Sequence, residues 1–123
     1  MNCKSLLKLN SLAIALCLGS LSSLSVNAET VKIAFIEVLS GPFAKTGEGS
    51  LNQLREVVLQ LNAKAKGNDT KFEVVAFDGK GLPQDSVSAL KSAVDQGIHY
   101  ITQGGGSGVA LALSEAIAKL AER

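Results

Sequence analysis

The sequence has no tryptophan, one tyrosine and two cysteines, and its charges nearly cancel. Twelve Lys and Arg residues against eleven Asp and Glu residues give a net charge of +1, which excludes a strongly basic nucleic-acid binder. A charged fraction of 19% with this neutral balance excludes a disordered chain. Both cysteines, Cys3 and Cys17, lie in the first twenty residues, so no disulfide framework holds the rest of the chain. A globular chain rich in alanine and leucine remains.

The first 28 residues have the layout of an export signal. Lys4 and Lys8 precede an apolar run over residues 9–24, and small residues occupy the two positions that a signal peptidase recognises before Glu29. This pattern predicts a signal peptide over residues 1–28, cleaved after Ala28. The alternative of a transmembrane helix requires about 20 predominantly apolar residues, and this run is shorter and rich in serine.

Cys17 raises the alternative of a lipoprotein signal. Its neighbour Leu16 is bulky where such a signal requires a small residue, so we interpret Cys17 as part of the apolar run. Removal of 28 of the 123 residues leaves 95 residues without cysteine. An exported chain that lacks disulfides is more typical of the periplasm of a Gram-negative bacterium than of a small secreted scaffold.

Strand and helix patterns alternate along the remaining chain. Short runs rich in β-branched residues predict strands, and apolar residues at helical spacing predict helices. The strands are predicted over residues 31–38, 71–77 and 98–102, and the helices from about 48 to 65, from Pro83 to a closing Gly97, and onward from a glycine-rich turn over residues 103–108. The predicted core stripes are Leu51, Leu54, Val57, Val58, Leu61 and Ala65, then Val87, Leu90, Ala93 and Val94, then Val109, Leu113, Ile117 and Leu120.

This alternation predicts an α/β fold, a three-layer βαβαβα portion of a doubly wound parallel sheet. The crossovers between parallel strands are expected to be right-handed. Three such strands leave an apolar sheet edge uncovered, which proteins avoid. We therefore expect residues 29–123 to be an incomplete lobe of a longer protein.

Two loops rich in glycine and hydroxyl groups follow the first and third predicted strands, over residues 40–46 and 103–108. In open α/β sheets, ligands bind beyond the carboxyl ends of the strands where the strand order reverses. If the first strand is central, these loops are neighbours. Unpaired N–H groups and the helix dipole make the glycine-rich turn a predicted anion site, with Ser107 as N-cap and ligand donor. The alternative is that Ser107 only caps its helix.

Sharper catalytic motifs are missing. A P-loop requires Lys-Ser or Lys-Thr after its last glycine, where Val109 and Ala110 stand, and a nucleophile elbow requires glycine two residues after Ser107. His99 is the only histidine, and we interpret it as a partly exposed structural residue. Asp78 is predicted to hydrogen-bond a loop rather than a ligand. We predict no metal site and no cofactor.

Three segments carry a resemblance: VKIAFIEVLSGPFAKTGEG, a strand that continues into FDGKGLP, and DQGIHYITQGGGSGVALALSEAIA. After a signal peptide, they resemble the periplasmic leucine/isoleucine/valine-binding protein family, the type I substrate-binding proteins of branched-chain amino-acid ABC transporters. The resemblance covers residue 31 to about residue 119. It implies two α/β lobes joined by a hinge, with an amino acid held between them and no catalytic chemistry.

The resemblance also implies which residues bind the ligand. The turn around Ser107 would hold the α-carboxylate of the ligand. A position that is often aromatic falls on Thr46, which argues against a plain leucine specificity, and Phe43 is expected to replace part of that apolar surface, although its usual place is under the loop. The predicted ligand-binding residues are Gly105, Gly106, Ser107, Gly108, Thr46 and Phe43.

The resemblance implies a monomeric receptor that captures a branched-chain amino acid or a related small amphoteric solute. It would close by hinge motion and dock on a membrane ABC permease. Relatives with the same lobe architecture bind amides, urea or aromatic acids, so the solute stays open. Two alternatives are an exported α/β hydrolase-like enzyme that uses Ser107 with His99, and a non-functional truncated product.

Overall fold

The computed structural model describes residues 29–67 and 69–122. Three strands alternate with three helices, which confirms the predicted α/β class. The elements are β1 (Thr30–Glu37), α1 (Ala44–Lys64), β2 (Lys71–Asp78), α2 (Pro83–Asp95), β3 (Tyr100–Gln103) and α3 (Ser107–Ala121). The predicted signal peptide over residues 1–28 lies outside the described residues. Within them, no helix combines the length and apolar character needed to cross a membrane.

β1 is the central strand of a parallel sheet with the order β2-β1-β3. Its last residue, Glu37, pairs with Asp78 at the end of β2, and Ile36 pairs with Gln103 at the end of β3. The chain therefore leaves β1 in one direction and crosses back over it to reach β3. Right-handed crossovers in opposite directions place their helices on opposite faces of a sheet. The predicted three-layer, doubly wound arrangement is confirmed.

The main core lies between the sheet and the layer formed by α2 and α3. Leu90 and Ile36 are almost completely buried at its centre. One cluster of buried residues contains Ile36, Ala89, Leu90, Val109 and Leu113, and a second contains Ala34, Ala93 and Ile98. Phe77 and Ile101 pack against both clusters and join them into one core.

α1 packs on the opposite face through Leu51 and Val58, its buried apolar side chains. Asn62 anchors the carboxyl-terminal end of this helix to β2. Its Nδ2 donates to the carbonyl of Phe72 (2.7 Å), and its Oδ1 accepts the N–H of the same residue (2.9 Å). A single side chain thus satisfies both backbone polar groups of Phe72 on the outer side of β2.

The amino-terminal bound of α1 differs from the prediction. The helix begins at Ala44 rather than near residue 48, so its first turn includes Thr46. The N–H of Ala44 donates to the carbonyl of Gly41 (3.2 Å), and the N–H of Thr46 donates to that of Phe43 (3.0 Å). The prediction was late because the first turn contains no large apolar residue, so the periodic signal starts only at Leu51.

α2 has the predicted ends. Pro83 occupies its first turn, and Gly97 follows its C-cap with φ at +74°. The N–H of Gly97 donates to Val94 (2.9 Å) and the N–H of Ile98 donates to Ala93 (3.0 Å). These two bonds form a Schellman motif, which requires the left-handed conformation that glycine adopts without strain.

The predicted core stripes are buried only in part. Leu51, Val58, Leu90, Ala93, Val109 and Leu113 are buried, whereas Val57, Leu61, Val94, Ile117 and Leu120 are exposed, so the prediction is wrong for these five. A three-stranded sheet is narrow, and each helix contacts it along a line rather than over a broad face. Ser86, which no apolar stripe could predict, is buried instead and donates from Oγ to the carbonyl of Gly79 (3.3 Å).

Gly47 and Gly49 of α1 offer a test of how this helix packs on β1. A Cβ at Gly47 would collide with the carbonyl of Val38, whereas a Cβ at Gly49 would meet nothing within 4 Å. We expect Gly47→Ala to lower the free energy of unfolding by about 1–3 kcal/mol, because a backbone atom must shift. Gly49→Ala should raise it by roughly 0.5–1 kcal/mol, because alanine loses less conformational entropy in a helix. Urea unfolding of the natural gene product measures both; equal effects would contradict this packing.

Candidate functional site

Three loops follow the carboxyl ends of the three strands and meet at one edge of the sheet, here named the carboxyl edge. They cover residues 38–43, 79–82 and 104–106. The N–H of Gly79 donates to the carbonyl of Glu37 (2.8 Å), and the N–H of Leu39 donates to Asp78 Oδ1 (3.0 Å). The first two loops are therefore hydrogen-bonded to each other's strands. The central position of β1 also confirms that the loops after β1 and β3 are neighbours.

The glycine-rich turn leads directly into α3. Gly106, with φ at +87°, is the N-cap, and Ser107 is the first residue of the helix. The prediction that Ser107 is the N-cap is therefore wrong, and its side chain makes no capping hydrogen bond. The reason is the positive φ at the cap position, which glycine adopts far more readily than serine.

The start of α3 retains the properties of an anion site. The N–H of Ala110 is the first in the helix to reach a carbonyl, that of Gly106 (3.0 Å). The N–H groups of the three residues before it have no partner inside the helix, as at every helix start. Ser107 and Gly108 are exposed, and the hydroxyl of Ser107 is not engaged in capping. Backbone donors, one hydroxyl and the helix dipole can act together on a negative group.

Phe43 and Thr46 lie at the start of α1, beside the carboxyl edge. Phe43 is the N-cap residue and is 69% exposed, and Thr46 is exposed in the first turn. With this exposure, Phe43 does not pack under the loop. Its ring is thus an exposed apolar surface at the site, and Thr46 contributes a polar one. The six predicted ligand contacts stay predictions.

Glu37 is the residue of this site that sequence reasoning missed. It ends β1, is only 9% exposed, and accepts the N–H of Val38 on Oε1 (2.8 Å). A Cβ atom added to Gly104 would collide with Glu37 Oε2. Both carboxylate oxygens also lie 3.9 Å from the point that a Cβ atom of Gly105 would occupy. The carboxylate therefore lies against the glycine-rich turn. A charged residue at the end of the apolar run IAFIE was the available signal.

Gln103 is a second polar residue that the sequence did not single out. Its Oε1 is buried and has no hydrogen-bond donor within the described part of the chain. Gln103 pairs with Ile36, so its side chain lies on the face of the sheet covered by α2 and α3. Glu37 follows Ile36 and points to the other face, because side chains alternate along a strand. The two acceptors therefore do not form one cluster.

Asp78 ends β2 and has the structural contacts that the sequence predicts for it. Its Oδ1 accepts the N–H groups of Leu39 (3.0 Å) and Lys80 (2.9 Å). Partial desolvation raises the pKa of Asp78, but hydrogen bonds from Ser40, Leu39 and Lys80 and the charge of Lys80 together outweigh it. The pKa is consequently lower than the ordinary value of 3.8.

This lowered pKa predicts a loss of stability in acid. A carboxyl group whose pKa is lower in the folded chain stabilises the fold above its unfolded pKa, and that contribution disappears as the pH falls through the folded pKa. We expect Asp78→Asn to destabilise the protein more at about pH 7 than at about pH 3. Asp95→Asn, at an exposed position that ends α2, is the control for the loss of one surface carboxylate, and the difference between the two pH values should be larger for Asp78→Asn. Chemical unfolding at both pH values measures the free energy of unfolding of each variant. If Asp78→Asn lowers it equally at both, the contacts of Asp78 do not have this role.

The geometry does not support a hydrolase built on Ser107 and His99. His99 is exposed and precedes β3, whereas Ser107 follows the turn at the opposite end of that strand. The four residues of β3 alone separate the two ends by roughly 13 Å. A nucleophile and its base must approach within hydrogen-bonding distance, so these two residues cannot act as a pair in this fold.

Comparison with known proteins agrees with this architecture. The sequence pattern of the periplasmic binding protein family matches residues 30–120. The chain is 35% identical over 96 residues to Leu/Ile/Val-binding protein homolog 4 of Brucella abortus (strain 2308), with 76% of this chain and 22% of that protein covered.

Two solved structures share the fold. One is a type 1 periplasmic binding protein from Bordetella pertussis, with a TM-score of 0.64 and 30% identity over 74% of this chain and 25% of that one. The other is the branched-chain amino acid transporter substrate binding protein of Streptococcus pneumoniae in complex with isoleucine, with a TM-score of 0.65 and 25% identity over 74% of this chain and 26% of that one. The chain thus spans about a quarter of the length of the proteins it matches. By its sequence pattern and its fold, the chain belongs to the periplasmic binding protein family.

Proposed function

We propose that this chain forms part of the solute receptor of an ABC transporter, which captures a branched-chain amino acid or a related small amphoteric solute. The supporting observation is the glycine-rich turn that begins α3 at the carboxyl edge, next to the central strand. A helix start with unpaired N–H groups suits the carboxylate of such a solute. The Brucella relative is named as a Leu/Ile/Val-binding protein homologue, and the Streptococcus structure holds isoleucine.

The proposal includes the cellular setting of the receptor. Residues 1–28 act as a cleavable signal peptide, and the receptor works as a monomer in the periplasm of a Gram-negative bacterium. It delivers its solute to a membrane ABC permease, needs no cofactor, binds no nucleic acid and catalyses no reaction. Within the proposed site, Ser107 and the N–H groups of Gly105, Gly106 and Gly108 hold the carboxylate, while Phe43 and Thr46 form part of the wall around the rest of the ligand.

Calorimetric titration of the natural gene product tests the proposal. The panel consists of leucine, isoleucine, valine, their amides, urea and an aromatic acid. We expect binding of at least one amino acid, with an unrelated sugar as the negative control. If no amino acid or amide binds, the proposed solute class is wrong.

Ser107 can be tested separately within that site. Because its side chain makes no capping hydrogen bond, Ser107→Ala should leave α3 intact. We expect the Kd of the bound amino acid to rise by roughly tenfold or more, the usual effect of losing one hydrogen bond to a charged group. Ser114→Ala, at an exposed position farther along the same helix, is the matched control. An unchanged Kd in Ser107→Ala would remove Ser107 from the site.

A further inference from the structure

Glu37 places a buried negative charge next to a turn whose geometry suits an anion. It is the one buried charged residue in the described part of the chain. A single N–H, that of Val38, hydrogen-bonds its carboxylate. No ion pair joins Glu37 to any residue in the ranges 29–67 and 69–122.

The other charged groups near the carboxyl edge do not neutralise Glu37. Asp78 is its direct neighbour in the sheet and adds a second negative charge at the end of β2. Lys80 lies in the following loop, but its Nζ is paired with Asp85 at 3.5 Å. Lys45 in the first turn of α1 is exposed to solvent. The strand ends are therefore acidic, whereas the start of α3 presents donors.

We propose that Glu37 is a specificity-determining residue that favours ligands with a cationic group beside the anionic one and disfavours ligands with only a carboxylate. This inference rests on the proposed function and extends it to one residue of the site. A carboxylate bound at the N–H of Gly105 lies within roughly 10 Å of Glu37, given the 3.9 Å from the Glu37 oxygens to the Cβ position of Gly105 and about 3 Å for a hydrogen bond.

The electrostatic consequence depends on the net charge of the ligand. A simple carboxylate at this turn is repelled by Glu37, whereas the ammonium group of a zwitterion offsets that repulsion. Two unit charges 10 Å apart, in surroundings of effective dielectric about 20, change an affinity by roughly tenfold. Glu37 acts here through space, so no direct contact between it and the ligand is required.

Two parts of the structure lie against the side chain of Glu37. The carboxylate lies against the turn at Gly104. On its other side, Glu37 Cγ lies 3.0 Å from the point that a Cβ atom of Gly47, in the first turn of α1, would occupy. The amino-terminal end of a helix favours a negative group nearby. These neighbours and the low exposure of Glu37 restrict how far its charge can move from the turn.

The test is a ratio of two dissociation constants measured on the natural gene product. The probes are L-leucine and 4-methylpentanoate, which differ only in the α-amino group; if isoleucine or valine is the tighter ligand, that amino acid and its deaminated acid replace them. Glu37→Gln keeps the shape of the side chain and removes its charge. We expect the preference for the amino acid over the deaminated acid to fall by about tenfold in this variant.

Glu73→Gln is the matched control, because Glu73 is exposed near the other end of β2. It lies opposite Lys32 in the register of β1 and β2. Its preference ratio should equal that of the unmodified protein. The ratio is independent of the folded fraction, because both probes are measured on the same sample. Glu37→Ala is a second variant with the same expected change in the ratio.

The possible results separate this inference from the proposed function. A ratio that stays unchanged in Glu37→Gln and Glu37→Ala, in a protein that binds leucine, overturns the role of Glu37 and leaves the receptor function intact. A receptor that binds no amino acid overturns both. A tenfold fall confined to the Glu37 variants supports the inference, and an equal fall in Glu73→Gln overturns it, because the effect would then be one of overall charge.

Discussion

The parallel pairing of β1 with a strand on each side sets where every other element of the fold lies. Because β1 is central, the chain must cross the sheet in both directions, and the helices are divided between its two faces. The same pairing aligns the ends of β1 and β2 residue by residue, with Glu37 opposite Asp78. All three loops therefore meet at one edge, where the loops after β1 and β2 are hydrogen-bonded to each other's strands.

That edge combines two opposite electrostatic features. The start of α3 presents unpaired N–H groups and the positive end of its dipole, whereas the ends of β1 and β2 carry carboxylates. Asp78 is satisfied by backbone donors of its own and the neighbouring loop, while Glu37 receives one N–H and is covered by glycines. Glycine at position 104 leaves room for the Glu37 carboxylate, and glycine at position 106 adopts a positive φ without strain. The turn therefore contains glycines for two different physical reasons.

Much of the architecture was predictable because local chemistry and tertiary structure agree. α2 begins at Pro83 and ends just before Gly97, as the backbone preferences of proline and glycine dictate. The β-branched runs form the three strands. The exceptions have local causes. The first turn of α1 contains no large apolar residue, so periodicity placed its start too late, and Ser107 was assigned a cap that only the φ of Gly106 could decide.

Residue order alone predicted the α/β alternation, the glycine-rich loops after the first and third strands, and the family to which the chain belongs. These follow from periodicity, turn residues and motifs, which are properties of neighbouring residues. Three other features are visible only in the folded chain: Phe43 is exposed, Ser107 does not cap its helix, and the Glu37 carboxylate lies against Gly104. Those outcomes depend on how closely α1 and the turn before α3 approach the end of β1, and no pattern along the chain encodes a distance between residues 37 and 104.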